Sequence, residues 1–273
     1  MTKWGIEDIT PALRNSPPDR RNQVWKDWYD SLINQLEDDD YRFMNYGYQG
    51  LEKLELEPAD EANRIFIELY QLTLGDTNLT SKKVLDISSG LGGGASWISR
   101  WHQPSSLIGM DISSEAVSLC NKWYGSQQNL RFIVGDAESL PFPNASFDIV
   151  YSVESSHCYA NLDAFLREVF RVLRADGVLC WSDFQSRASM EKIISRFEDT
   201  GFTIISSKDI TNGVLRSLEF VYKAISEDTL HAKRVIWGGN LESLQDVILE
   251  FAGGDRSYHC FRLSRNNVVV SRT

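Results

Sequence analysis

Residues 84–97 read VLDISSGLGGGASW, and this stretch restricts the fold more than any other. An apolar strand runs into Gly90, Gly92, Gly93 and Gly94, and a helical pattern begins at once. Glycines at such a junction let the chain turn sharply, and they let a ligand reach main-chain N–H groups at a helix N-terminus. The plain alternative is a tight turn with no ligand. Downstream, short apolar runs at 82–88, 106–112, 130–136, 147–153 and 177–184 alternate with helical patterns. Several are apolar at both parities, the mark of parallel strands covered on both faces. The clearest helix is Leu162 to Leu173, with Gly177 just beyond it. The alternation predicts a doubly wound, Rossmann-like α/β sheet, mostly parallel and seven-stranded.

Helices flank this core. One is expected from a Ser16-Pro17-Pro18 start, carrying Val24, Trp25, Trp28, Leu32 and Leu36 and ending in the acidic run 37–40. A second should start near Pro58, with Ala62, Ile65, Phe66, Leu69 and Leu72 on its inner face. The organisation expected is a helical lid over residues 1–80 and a core over 81–273. A capping insertion falls at about 186–257, with a helix at Met190–Thr200 and strands near Phe202–Ser206 and Tyr258–Leu263.

Charge and cysteine content exclude several classes. With 28 basic and 38 acidic residues the formal charge is −10, which argues against nucleic acid and anionic membrane surfaces as partners. Cys120, Cys158, Cys180 and Cys260 show no zinc-module spacing and read as free thiols. No two of the four histidines are spaced as metal ligands, so no metal is expected. No apolar stretch suits a signal peptide or a membrane span, and a cytoplasmic protein is the expectation.

The loop by itself is compatible with a dinucleotide. Gly90, Gly92 and Ala95 satisfy the loose G-x-G-x-x-G/A pattern, and Asp111 follows about 20 residues on, where a ribose-binding acid belongs. Two acids point elsewhere. Asp86 precedes the glycines, where a carboxylate suits a cationic amino group better than a pyrophosphate. Asp136 ends the third strand, where it can accept from an adenine amino group.

The series VLDISSGLGGG, IGMDIS, GDAESLPFPNASFDIVYS and VLRADGVL resembles the class I S-adenosylmethionine-dependent methyltransferases over about residues 80–185. It departs at one position: the family's usual first loop glycine is Ser88. The resemblance implies S-adenosyl-L-methionine as cofactor. It places Asp86, Ser88, Gly90 and Gly92 at the methionine end, Asp111 on the ribose, Ile112 on adenine, and Asp136 with Ala137 at the adenine edge. The segment MNYGYQG (44–50) resembles a lid element of this group, making Asn45, Tyr46 and Tyr48 candidates for the methionine moiety; the alternative is a surface loop between helices.

The fourth strand leads into ESSHCY, so Glu154 and His157 fall at the sheet's carboxyl edge, with Asp183 on the neighbouring strand end. A hydroxyl attacking a methyl group must lose a proton, and histidine titrates near neutrality. This makes His157 a candidate general base, Asp183 its orienting partner, and Glu154 a catalytic, cofactor- or substrate-positioning group. The alternative is a loop histidine with only a local bond. Of the eight tryptophans, Trp181 and Trp237 are read as pocket liners and the rest as packing.

The E-S-x-H arrangement resembles small-molecule O-methyltransferases of polyketide, sugar and phenolphthiotriol type, with the narrowest likeness to cyanobacterial microcystin-type enzymes. It implies methyl transfer to a hydroxyl of a fairly large apolar small molecule. C-methylation of the sterol or quinone kind stands as the alternative, followed by an NAD-dependent oxidoreductase. Monomer and homodimer both remain open.

Overall fold

The computed structural model describes residues 9, 12–13, 15–17, 20–34, 42–50, 54–227 and 241–265. The acidic run 37–40, Leu36, His231 and Trp237 lie outside them. Seven strands, β1 (Lys83–Ile87), β2 (Ser106–Asp111), β3 (Leu130–Val134), β4 (Phe147–Val153), β5 (Leu173–Ser186), β6 (Thr203–Asp209) and β7 (Arg256–Ser264), form one sheet in the order β3-β2-β1-β4-β5-β7-β6. The first five are mutually parallel, and β7 runs antiparallel between β5 and β6. This is the doubly wound, mostly parallel sheet read from the alternation.

Successive strand residues face opposite layers. Val84, Ile149 and Cys180 belong to one buried cluster, whereas Leu85, Val150 and Trp181 belong to the other. The first layer is closed by α2 (Arg64–Leu74), α3 (Gly93–Trp101), α7 (Thr211–Ser226) and α8 (Leu241–Ala252). The second is closed by α5 (Leu162–Val172) and α6 (Arg187–Thr200). Helix α4 (Ser114–Tyr124) packs beside β2 and β3, and α1 (Arg21–Ile33) packs on α4. Strand order reverses between β1 and β4, which opens a crevice at their carboxyl ends.

Several expectations need correction. Helix α1 starts at Arg21 without a side-chain cap; the Arg20 N–H donates to the Pro17 carbonyl instead. It ends at Ile33, one turn short of expectation. Helix α2 starts at Arg64 after a turn, and it buries Ile67, Leu69, Tyr70, Thr73 and Leu74, while Ala62 is exposed. Its inner face is thus rotated from the one expected, because α2 packs on the sheet. That places it in the core layer. Helix α6 and β6 likewise build the core. Gly177 does not end α5; the chain passes from Val172 directly into β5, and Gly177 lies inside that strand.

Ser88 stands where the resemblance leads one to expect a glycine. Its φ is 59°, the left-handed region that glycine enters freely, and the strain of a β-carbon there is about 1 kcal/mol. In return its hydroxyl bonds the Tyr159 hydroxyl at 2.8 Å, worth about 1 kcal/mol. Ser88→Gly should therefore leave denaturant stability nearly unchanged. Ser88→Ala keeps the strain without the bond and should cost about 1 kcal/mol.

Candidate active site

The crevice at the β1/β4 reversal widens into a cavity at the carboxyl ends of the strands, where open α/β sheets bind their ligands. Its floor comes from strand ends: Ser88, Ser89 and Gly90 after β1, Asp111 and Ile112 at the end of β2, Asp136 and Ala137 after β3, and Glu154 after β4. Its cover comes from Trp25 and Tyr29 of α1 and from Met44 and Asn45. Two side chains fasten α1 across the opening. Asn22 donates to Glu138 and accepts from the Ala160 N–H, and Asp30 accepts from the Ser113 hydroxyl.

The glycine loop supplies shape. Gly90 and Gly92 have φ of 53° and 74°, and Gly92 precedes the first turn of α3. The Gly90 N–H donates to Asp111 Oδ2 at 2.8 Å, and the Ser113 N–H donates to Oδ1 at 2.9 Å. These bonds fix Asp111 at the cavity wall. Burial pushes its carboxyl up to about 6, against those N–H groups. Asp136 Oδ1 accepts from the Glu138 N–H.

Glu154 has a φ of 52°, a left-handed backbone at the end of β4. The Tyr46 N–H donates to both carboxylate oxygens, at 3.0 and 2.9 Å, and the Tyr258 hydroxyl donates at 3.0 Å. Burial lifts its carboxyl to about 8.

Beside the cavity, His157 and Asp183 meet. Nδ1 and Asp183 Oδ1 are 2.8 Å apart. Asp183 is fully buried, and it also accepts from the Ser156 hydroxyl, the His157 N–H and the Phe184 N–H. A buried carboxylate bonded to Nδ1 holds the imidazole's tautomer. Burial opposes charge on the imidazole, but Cys158 and the Asp183 carboxylate together hold its pKa above the ordinary value. The ring lies between Phe184 and Trp25, at 4.3 and 6.3 Å between centroids.

Residues 85–181 match the family model of a methyltransferase domain. The chain is 38% identical over 198 residues to the phthiotriol/phenolphthiotriol dimycocerosates methyltransferase of Mycobacterium leprae, covering 72% of this chain and 73% of that protein. It is 36% identical over 199 residues to the fatty-acid O-methyltransferase of Mycolicibacterium smegmatis, covering 72% of each. Among solved structures it resembles the cyclopropane synthase MmaA2 from Mycobacterium tuberculosis, with a TM-score of 0.69 at 17% identity, over 86% of this chain and 97% of that one. The chain belongs to the class I S-adenosylmethionine-dependent methyltransferases.

Not every residue named from the sequence lines the methyltransferase's cavity. Ser88, Gly90, Asp111, Ile112, Asp136, Ala137 and Glu154 do, whereas Tyr46, Asp86 and Gly92 do not. The Tyr46 ring stacks on Phe184 at 5.1 Å, so only its N–H serves the site, through Glu154. Asp86 lies beneath the loop, with one carboxylate oxygen lacking a hydrogen-bond partner. Gly92 sits against Phe132 and Cys120. Trp181 is a core residue packed on Phe197 and Phe261, and its indole donates to Ser156; Trp25, read as packing, lines the cavity instead.

The residues present fit the cofactor. Buried Asn45 Nδ2 and Ser89 Oγ line the cavity without hydrogen-bond partners, a donor and a hydroxyl left for a polar ligand. Among the described residues no cluster suits a metal ion, and no helix is long and apolar enough to cross a membrane. Sequence reasoning missed Tyr29, Tyr159 and Tyr258. Apart from the Ser155–Tyr159 bond, the side-chain hydrogen bonds that tie them to the site bridge more than 70 residues, and such distant pairings leave no local pattern.

Proposed function

We propose that this methyltransferase binds S-adenosylmethionine in the cavity and methylates a hydroxyl of a large, apolar, lipid-like molecule, with His157 as general base and Asp183 as its orienter. The bound cofactor supplies an electrophilic methyl carbon on a cationic sulfur. Asp111 would take the ribose hydroxyls, Ile112, Asp136 and Ala137 the adenine, and Ser88, Ser89, Asn45 and Glu154 the methionine end. Tyr46, Asp86 and Gly92 support these from behind. The observation carrying the reading is the His157–Asp183 contact. With Nδ1 engaged by a buried carboxylate, Nε2 is the nitrogen left to take the acceptor's proton. Trp25 and Phe184 beside the imidazole give the acceptor apolar walls and exclude water. The lipid-like class rests on these walls and on what the named relatives act upon.

One observation favours a second reading, an acceptor carboxylate: the raised pKa of His157 favours an imidazolium, which would pair with an acid and need not remove a proton. The experiment offers a long-chain alcohol, a long-chain phenol and a fatty acid, with the cofactor labelled in its methyl group. The expected product is an alkali-stable ether, formed faster as pH rises through the elevated pKa of His157. An alkali-labile ester would establish the second reading, and carbon-bound label would establish C-methylation.

A further inference from the structure

Three carboxylates line the cavity, Asp111, Asp136 and Glu154, and Arg42 is the one Lys or Arg side chain lining it among the described residues. The Arg42 guanidinium lies over the Trp123 ring at 4.0 Å. Glu154 is placed differently from the other two acids. Its left-handed backbone aims it from the end of β4, and its donors are a peptide N–H and a phenol, both neutral. Among the described residues it forms no ion pair with a lysine or arginine. The titratable groups facing it are Tyr29 from α1, Tyr70 from α2, Tyr46 from the segment before α2, Tyr258 from β7, and the His157–Asp183 pair. The tyrosines are held neutral by burial. His157 favours the ionised glutamate and Asp183 opposes it. A buried carboxylate with so little compensation is costly to charge until a cation arrives.

Building on the cofactor reading above, we propose that Glu154 is protonated in the cofactor-free protein, ionises when a sulfonium cofactor enters, and regains its proton once the methyl has left. The site would thereby distinguish cofactor from demethylated product by charge. The balance is as follows. On binding, the carboxyl releases one proton to solvent and is left as a carboxylate facing the cationic sulfur. In transfer, an oxygen–methyl bond forms and the sulfur–methyl bond breaks, its electron pair staying on sulfur. The acceptor's proton passes to His157 and then to solvent. Glu154, now facing a neutral thioether, takes one proton back. Each turnover thus releases one proton in total. The elevated carboxyl pKa of about 8 agrees with a protonated resting state.

The test is calorimetric titration with S-adenosylmethionine and, separately, S-adenosylhomocysteine, in buffers of differing ionisation enthalpy near neutral pH. S-adenosylmethionine binding should release about one proton, and its Kd should fall about tenfold per pH unit up to the carboxyl's pKa and then level off. S-adenosylhomocysteine should show neither effect. Glu154→Gln should abolish the difference, and retained S-adenosylhomocysteine binding will show that the variant is folded. Any ionisation of the ligand's own amino group persists in Glu154→Gln and so cancels. Equal proton release for both ligands overturns the proposal, as does release that survives in Glu154→Gln. If Glu154→Gln does not fold, Glu154→Ala takes its place as the control. Failure of both ligands to bind refutes the cofactor reading instead.

Discussion

Replacing His157 by alanine should lower kcat about 10²- to 10⁴-fold, the range contributed by a positioned general base, while S-adenosylhomocysteine binding stays close to that of the wild type. The separation is expected because His157 is not among the residues lining the cavity proposed for the cofactor; it stands beside it, against Phe184 and Trp25. Asp183→Asn should give a related loss with a distinct signature. Asp183 accepts four hydrogen bonds, two of them from His157. An amide offers one acceptor oxygen and turns its NH₂ toward a neighbour, which disfavours the tautomer with the proton on Nδ1. The carboxylate also helps to hold the imidazole pKa up. Without it, the acid limb of the kcat profile should move to lower pH, because a base must lose its proton to act and the variant's base loses it sooner. Measuring kcat against pH for both variants checks this. If His157 makes only a local hydrogen bond, His157→Ala will change kcat by no more than a few-fold and alter stability alone.

Gly93→Ala should weaken cofactor binding more than tenfold and destabilise the fold by about 1–3 kcal/mol. A β-carbon at this position would lie 2.3 Å from the Arg42 carbonyl oxygen, which accepts the Gly93 N–H at 2.9 Å. The obstruction is backbone, so no rotamer change relieves it. Either the first turn of α3 or the segment carrying Arg42, Met44 and Asn45 must move, and all three of those residues line the cavity. The same movement would draw Tyr46 and its N–H away from Glu154. Chemical denaturation and ligand titration of the variant check the two halves. An alanine variant with unchanged binding would mean that the 42–50 segment does not form the cavity wall in solution.

The sheet is legible because several parallel strands carry apolar residues at both parities, as at Val84–Leu85 and Ile149–Val150, which fall into different core layers. The carboxyl-edge acids followed from the same pattern, since a residue that ends a strand must lie at the sheet's rim. What sequence reasoning lost was orientation. The Tyr46 ring points to Phe184 and not into the cavity, and only the register of a non-periodic segment could reveal that. Asp86 ends β1 as read, yet it lies under the loop it precedes. Trp25 lines the cavity and Trp181 the core: helical spacing marks the buried face that carries Trp25 without saying whether core or cavity lies behind it, and a strand apolar at both parities does not say which layer Trp181 of β5 enters. Gly177 misled for a related reason: it sits within a strand against the Leu173 side chain, where a local pattern reads a helix stop.

The central claim, that this cavity holds the methyltransferase cofactor, is tested most directly by titrating the purified protein with S-adenosylhomocysteine and, separately, with NAD. Asp111, fixed at the wall by the Gly90 and Ser113 N–H groups, faces a nucleoside in either case, so both ligands receive a fair trial. Saturable binding of S-adenosylhomocysteine, without binding of NAD, is the predicted result. Binding of NAD alone would contradict the account.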